Sequence, residues 1–199
     1  VFLNVDPSSL GSVLGNILIA IEGVLEEHRP DAVLILGDTN SSIAAIMAKR
    51  LKIPVYHMEA GNRSFDPNVP EEVNRRLVDR ISDFNLVYTE HARRHLLSEG
   101  TPHRRIYLTG SPMKEVLDHY RKDIEASDAL ARLGVTPQGY VLVSMHREEN
   151  VDSKESLRAL LTALHRVHEQ FGVPVIVSTH PRTRKRLEEL GDPYEHEGV

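Results

Sequence analysis

The 199-residue chain contains no cysteine, which excludes disulfides and cysteine-ligated zinc and leaves a reducing compartment permitted. No apolar run approaches the ~20 residues a membrane-spanning helix needs, and no charged-then-apolar leader opens the chain. A soluble, cytoplasmic protein with no membrane partner is therefore expected. General positive charge is missing too: the net charge is −5 and the pI is near 6.1, so no nucleic-acid partner is expected. The locally basic Arg93-Arg94, Arg104-Arg105 and Arg182 to Arg186 read as solvated helix faces. Neither Gly37 nor Gly61 belongs to a GxGxxG, which disfavours a nicotinamide dinucleotide, and no HExxH or comparable ligand spacing calls for a metal. An initial methionine is also absent. The first helix-like stretch, Ser8 to His28, already needs a sheet to cover, the pattern of a piece cut from a longer protein.

What is present is a steady alternation. With 40% hydrophobic residues the composition suffices for a core. Continuous apolar runs predict strands near 32–36, 53–57, 84–88, 105–109, 140–144 and 174–178. Helical periodicity fills the intervals near 9–28, 41–50, 70–81, 90–99, 112–121, 127–133, 153–170 and 182–190. Strands of this kind separated by helices predict a mostly parallel sheet covered on both faces, a doubly wound α/β architecture. The rhythm breaks between Pro112 and Gly139, where the chain is polar and lacks a strand. The expected division is residues 1–125 as most of one Rossmann-like domain and 126–199 as a linker and the opening of a second, unfinished one.

Three strand exits are rich in ionisable groups, the place where α/β proteins build active sites. Asp38 follows Gly37 and precedes Thr39, Asn40, Ser41 and Ser42; the turn is suited to an anion or a sugar hydroxyl, or else Asp38 caps the next helix. Glu59 continues the strand 53–57 into Ala60-Gly61. Partial desolvation there would raise its pKa toward the range useful for proton transfer, the alternative being a structural pair with Arg63. Pro70-Glu71-Glu72 reads as a helix start, with Val73, Leu77 and Ile81 facing the core. The loop from Gly61 to Val69 is long enough to cross a cleft and bring Glu71 to Asp38 and Glu59. His146-Arg147-Glu148-Glu149-Asn150 sets an imidazole, a guanidinium and two acids at one turn, and His180 ends the following strand; a structural histidine is the plainer reading of His146. The remaining histidines, among them His91, His95, His165 and His168, fall on helix patterns and are expected at the surface.

Gly37-Asp38-Thr39, His57-Met58-Glu59-Ala60-Gly61-Asn62-Arg63, Pro70-Glu71-Glu72-Val73-Asn74-Arg75 and His146 to Asn150 occur in the order and approximate spacing of the non-hydrolysing UDP-N-acetylglucosamine 2-epimerase family. The chain resembles that family along essentially its whole length, as about the middle half of a member. The resemblance implies a glycosyltransferase-B-like fold of two Rossmann-like domains, a homodimer, a UDP-sugar substrate and no cofactor. It implies elimination of UDP across C1 and C2 of the sugar to a 2-acetamidoglucal, then re-addition with a proton on the opposite face of C2. By motif position Asp38, Glu59 and Glu71 correspond to the family's catalytic carboxylates and His146 to its active-site histidine near the leaving diphosphate. Arg147 would offset diphosphate charge, and Arg63, Glu149, Asn150 and His180 are further candidates for substrate contacts. Glu148 stands where many members carry arginine, and the segment between Glu59 and Glu71 is shorter than in many. Asn62 with Ser64-Phe65-Asp66, together with Met145 to Asn150, looks closer to the capsule and O-antigen branch, which makes UDP-N-acetyl-L-fucosamine from its 6-deoxy talosamine epimer or acts on related uronates. A glycosyltransferase on the same fold and a hydrolysing 2-epimerase are the competing activities.

Overall fold

The computed structural model describes residues 3, 5, 6, 8–145 and 151–191, with only the backbone of Arg182. It divides into two compact units, 1–119 and 120–199.

In the first unit, helix α1 (Leu10–His28) starts where the Ser9 side chain accepts the Ser12 N–H at 3.0 Å and stops at Arg29, which turns left-handed. Four short strands follow, β1 (Val33–Leu36), β2 (Val55–Met58), β3 (Phe84–Val87) and β4 (Ile106–Leu108). They pair in parallel in sequence order β1-β2-β3-β4, with Leu34 opposite Tyr56 and Tyr56 opposite Phe84. The connections are a 3-10 helix (Asn40–Ala44) running into α2 (Ala45–Arg50), then α3 (Pro70–Ile81) and α4 (Glu90–Ser98). A parallel sheet that always advances in one direction puts its right-handed crossovers on one face. That face is closed: Ile35 and Val55 pack with Leu25 of α1, Ala45 and Ala48 of α2 and Val78 of α3.

The expectation of helices on both faces is met on one of them within this unit. Leu34 and Leu36 point the other way and are 62% and 64% exposed. Beside them lies an aromatic row, Tyr56 on Phe84 at 4.8 Å between ring centres and Phe84 on Tyr107 at 5.9 Å. The alternation of side chains along a strand makes both sets apolar, so sequence alone does not reveal that only one is covered.

Helix α5 (Met113–His119) ends this unit, and α6 (Arg121–Glu125) and α7 (Ala129–Arg132) open the second. The single helix expected near 112–121 is interrupted at Tyr120, whose φ and ψ of −90° and 9° are not helical. In the second unit β5 (Val141–Ser144) pairs in parallel with β6 (Val175–Ser178) across α8 (Lys154–Phe171), and α9 (Pro181–Leu190) follows. Its core is an apolar cluster of Met145, Val151, Leu157, Leu164, Val175, Leu187 and Leu190, with Thr183 buried as well.

Candidate active site

The exits of β1 and β2 are held together by a buried polar network with α3 at its centre. Val55 and His57 are the inward residues of β2, so His57 lies fully buried beneath the sheet's end. One imidazole nitrogen, Nε2, meets the Gly37 carbonyl at 2.9 Å and the other, Nδ1, meets Asp79 Oδ1 at 2.8 Å. Asp79, 2% exposed on α3, also accepts the Gly61 N–H at 3.2 Å and the Arg63 guanidinium at 2.8 Å. One carboxylate thus fixes the exits of β1 and β2 relative to α3. Gly61 is required here twice over: its φ is +78°, and a Cβ would lie 2.5 Å from the Ala92 carbonyl oxygen of α4.

Arg63, expected among the substrate contacts, is engaged within the fold. Its guanidinium is 0% exposed, with one nitrogen on Asp79 and two on Glu99 at 2.8 and 2.6 Å. Burial opposes its charge, but hydrogen bonds to Glu99 and Asp79 outweigh burial and raise its pKa above the ordinary arginine value. Its donors are spent inside the fold, and its partners are Asp79 and Glu99 rather than Glu59.

The face of α3 turned inward also differs from expectation. Glu72 and Asp79 are each 2% exposed, whereas Val73 and Leu77, expected in the core, are 56% and 37% exposed. Glu72 accepts the Ser64 N–H at 2.9 Å and the Ser64 hydroxyl at 3.1 Å, and it binds Arg76 at 2.8 Å. Burial alone would raise its pKa; the Ser64 N–H and then Arg76 lower it instead, so Glu72 is held as the anion. The loop after Glu59 is therefore tied at Ser64 to the helix it precedes.

Of the three expected catalytic carboxylates, Asp38 is bonded to this framework, Glu59 stands beside it, and Glu71 lies in the first turn of the helix that reaches it. Asp38 is not a helix cap: the residue preceding the 3-10 helix is Thr39, and Asp38 Oδ2 instead accepts from Arg75 Nε at 2.8 Å and from the other guanidinium end at 2.7 Å. Asn74 Nδ2 donates to the Asp38 carbonyl at 3.0 Å. Glu71 stands exposed in the first turn of α3, three and four residues before Asn74 and Arg75, and so shares the helix face that reaches Asp38. Glu59 is half-buried at the exit of β2. Its Oε1 accepts from Asn62 at 3.2 Å, and its Oε2 lies 3.6 Å from where a Cβ on Gly37 would stand, which brings it to the β1 turn. Glu59 also adopts φ +65°, a left-handed conformation that costs a non-glycine residue roughly 1–3 kcal/mol and clusters at functional sites. Beside it the Tyr88 hydroxyl is pushed up in pKa, first by burial and then by the Glu59 charge.

His146, Arg147, Glu149 and Asn150 lie outside the described residues. The strand exit just before them is defined: buried Thr183 of α9 donates to the Met145 carbonyl at 2.9 Å. His180 is exposed directly before α9, where its carbonyl accepts the Arg184 N–H. Two histidines expected at the surface are engaged in packing. His95 meets the Gly61 carbonyl at 3.0 Å and the edge of Phe65, and His168 meets the Val173 carbonyl at 2.8 Å. The roles of His57, Asp79, Glu72, Asn74 and Arg75 escape a reading by apolar periodicity. The inward alternation of His57 with Val55 was the one available signal.

A family model described as UDP-N-acetylglucosamine 2-epimerase matches residues 1–198. The chain belongs to the UDP-N-acetylglucosamine 2-epimerase family. Among the family's solved structures, the enzyme from Rickettsia bellii superposes with a TM-score of 0.87 at 47% identity, over 97% of this chain and 50% of that one. The Methanocaldococcus jannaschii enzyme in complex with UDP-GlcNAc and UDP gives a TM-score of 0.86 at 39% identity, over 94% of this chain and 52% of that one. A Pseudomonas aeruginosa relative, UDP-2,3-diacetamido-2,3-dideoxy-D-glucuronate 2-epimerase, is 35% identical over 193 residues, which make up 95% of this chain and 53% of that protein. The chain spans about half the length of the curated relatives it matches. These likenesses assign it to the glycosyltransferase-B-like class of α/β folds, as the motif resemblance implied.

Proposed function

We propose that this protein inverts C2 of a UDP-2-acetamido sugar without hydrolysing it. A carboxylate takes the C2 proton while the C1–O bond breaks and UDP leaves with the bonding electrons, forming the C1=C2 double bond of a 2-acetamidoglucal. A UDP oxygen then re-forms the bond to C1, and an acid delivers a proton to the opposite face of C2. Two faces ask for two acid/base groups. Asp38, Glu59 and Glu71 are assigned to that work, His146 and Arg147 to the departing diphosphate, and Glu149, Asn150 and His180 to substrate contacts. The reading carries with it a homodimer and a cytoplasmic location. The single observation that supports it most is that Asp38 and Glu59 meet at the β1 and β2 exits, with Asp38 held by Asn74 and Arg75 on the helix that carries Glu71.

UDP-N-acetylglucosamine is the first substrate to test, because it is bound in the Methanocaldococcus jannaschii structure. The uronate named for the Pseudomonas aeruginosa relative and the 6-deoxy talosamine nucleotide are the other two. Proton NMR of the full protein in heavy water should show deuterium entering C2 together with the C2 epimer of the accepted sugar. A bound sugar with no exchange at C2 overturns epimerisation in favour of transfer to an acceptor, and release of the free sugar overturns the non-hydrolysing course. Asp38→Asn, Glu59→Gln and Glu71→Gln are each expected to lower turnover by ~10² or more. Near-normal turnover removes that residue from the set.

A further inference from the structure

We propose that Asn74 and Arg75 are positioning residues, which fix where Asp38 stands and which of its two oxygens is available for proton transfer; this rests on Asp38 being an acid/base group. Asp38 sits in a turn between Gly37, at φ +72°, and the 3-10 helix that begins at Asn40. Two consecutive residues of α3 grip it from the side. Asn74 holds its backbone through the carbonyl at 3.0 Å and holds Asn40 Oδ1 at 3.2 Å, so both ends of the turn are tied to one amide. Arg75 holds its side chain, and both guanidinium contacts fall on the same atom, Oδ2, at 2.8 and 2.7 Å. Among the described residues Oδ1 receives no hydrogen bond, so its lone pairs stay open while Oδ2 is occupied.

The clamp is itself held. Arg75 Nη1 lies 3.4 Å from Glu72, whose other contacts anchor Ser64 and Arg76. Beneath it the His57 imidazole supports the Gly37 carbonyl on the opposite side of the turn. Glu71 rides on the same helix face as the clamp, so any tilt of α3 would move Glu71 and the grip on Asp38 together. A displacement of about 1 Å at a reacting group can cost on the order of 10²-fold in rate, which is the size of effect a lost clamp should produce.

The test is a double-variant cycle in the full protein, read as kcat and KM for the accepted UDP-sugar and as deuterium entry at C2. Arg75→Met is expected to lower kcat by roughly 10²-fold with KM nearly unchanged. Arg75→Lys should recover part of the loss, because an ammonium can still meet Oδ2, and Asn74→Ala should cost about tenfold. In an Asp38→Asn background neither the Arg75 nor the Asn74 change should cost anything further, since both act through the carboxylate already removed. The proposal is overturned if Arg75→Met loses the same factor again in that background, if KM rises while kcat is kept, or if Arg75→Met turns over like the parent. Normal turnover of Asp38→Asn alone would instead remove the Asp38 assignment. Should Arg75→Met fail to fold, Arg75→Lys and Asn74→Ala carry the same comparison.

Discussion

Helices α3 and α8 do the same topological work, each leading from one parallel strand to the next, yet they bury opposite kinds of surface. α8 sends Leu157 and Leu164 into an apolar cluster with Leu160, Leu161 and Val167 against it. α3 sends Glu72 and Asp79 inward with Val78 and leaves Val73 and Leu77 toward solvent. Apolar burial is non-directional and needs only volume, whereas a buried carboxylate must find each donor at the right angle. A crossover helix that buries charge therefore fixes the loops around it more tightly than it stabilises the fold. In this molecule α3 is the helix that carries Glu71 and whose neighbouring turns carry Asp38 and Glu59.

The comparison breaks or sharpens at five positions. Asp79→Ala should have the largest effect, lowering unfolding stability by about 3–5 kcal/mol, because it strands the buried Arg63 and His57. A loss below about 1 kcal/mol in denaturant titration would show that the α3 network is not structural. Leu157→Ala is the matching change in α8 and should cost about 2–5 kcal/mol through a cavity, with no effect on the charges of the first unit. Gly61→Ala should cost roughly 2 kcal/mol or more, since the left-handed backbone and the Ala92 carbonyl both oppose a methyl group; a neutral outcome would mean α4 moves freely away from the β2 exit.

Glu72 and Glu99 supply a pH signature. Arg63 lowers the Glu99 pKa, and contacts from Ser64 and Arg76 lower that of Glu72 against its burial. A carboxylate depressed in the folded state contributes stability that is complete above its unfolded value of about 4.3 and is lost as pH falls through the folded value. The first unit should therefore lose stability below about pH 4.5, and Glu72→Gln should flatten that loss. An unchanged acid profile for Glu72→Gln would contradict the anionic assignment. Val73→Ser should have the smallest effect, within about 0.5 kcal/mol, because the side chain is exposed; a cost above about 1.5 would restore the apolar stripe of α3 to the core.

These differences mark what the sequence made legible. Each of the six strands starts and ends within two residues of expectation, because β-branched runs bounded by Gly, Asp and Pro leave few alternatives. The family and its fold class followed from motifs whose order survives in one chain. The inner face of α3 followed only in part: Ile81 packs against the core as expected, but periodicity places Val73 and Leu77 there too, without knowing that Ser64, His57 and Arg63 supply partners for Glu72 and Asp79 from elsewhere. Asp38 and Glu59 were visible as strand-exit acids, but the grip of Arg75 crosses 37 residues of sequence and leaves no local trace. The partners of Arg63 are also remote in sequence: its buried guanidinium meets Asp79 and Glu99, 16 and 36 residues away.

The left-handed backbone at Glu59 carries a consequence for engineering. Glycine or asparagine would relax that conformation, so a selection for heat tolerance at this site would favour them over glutamate. Either replacement removes the acid. Directed evolution for robustness would thus drift away from the very carboxylate that the turn presents, and libraries built on this scaffold should hold position 59 constant.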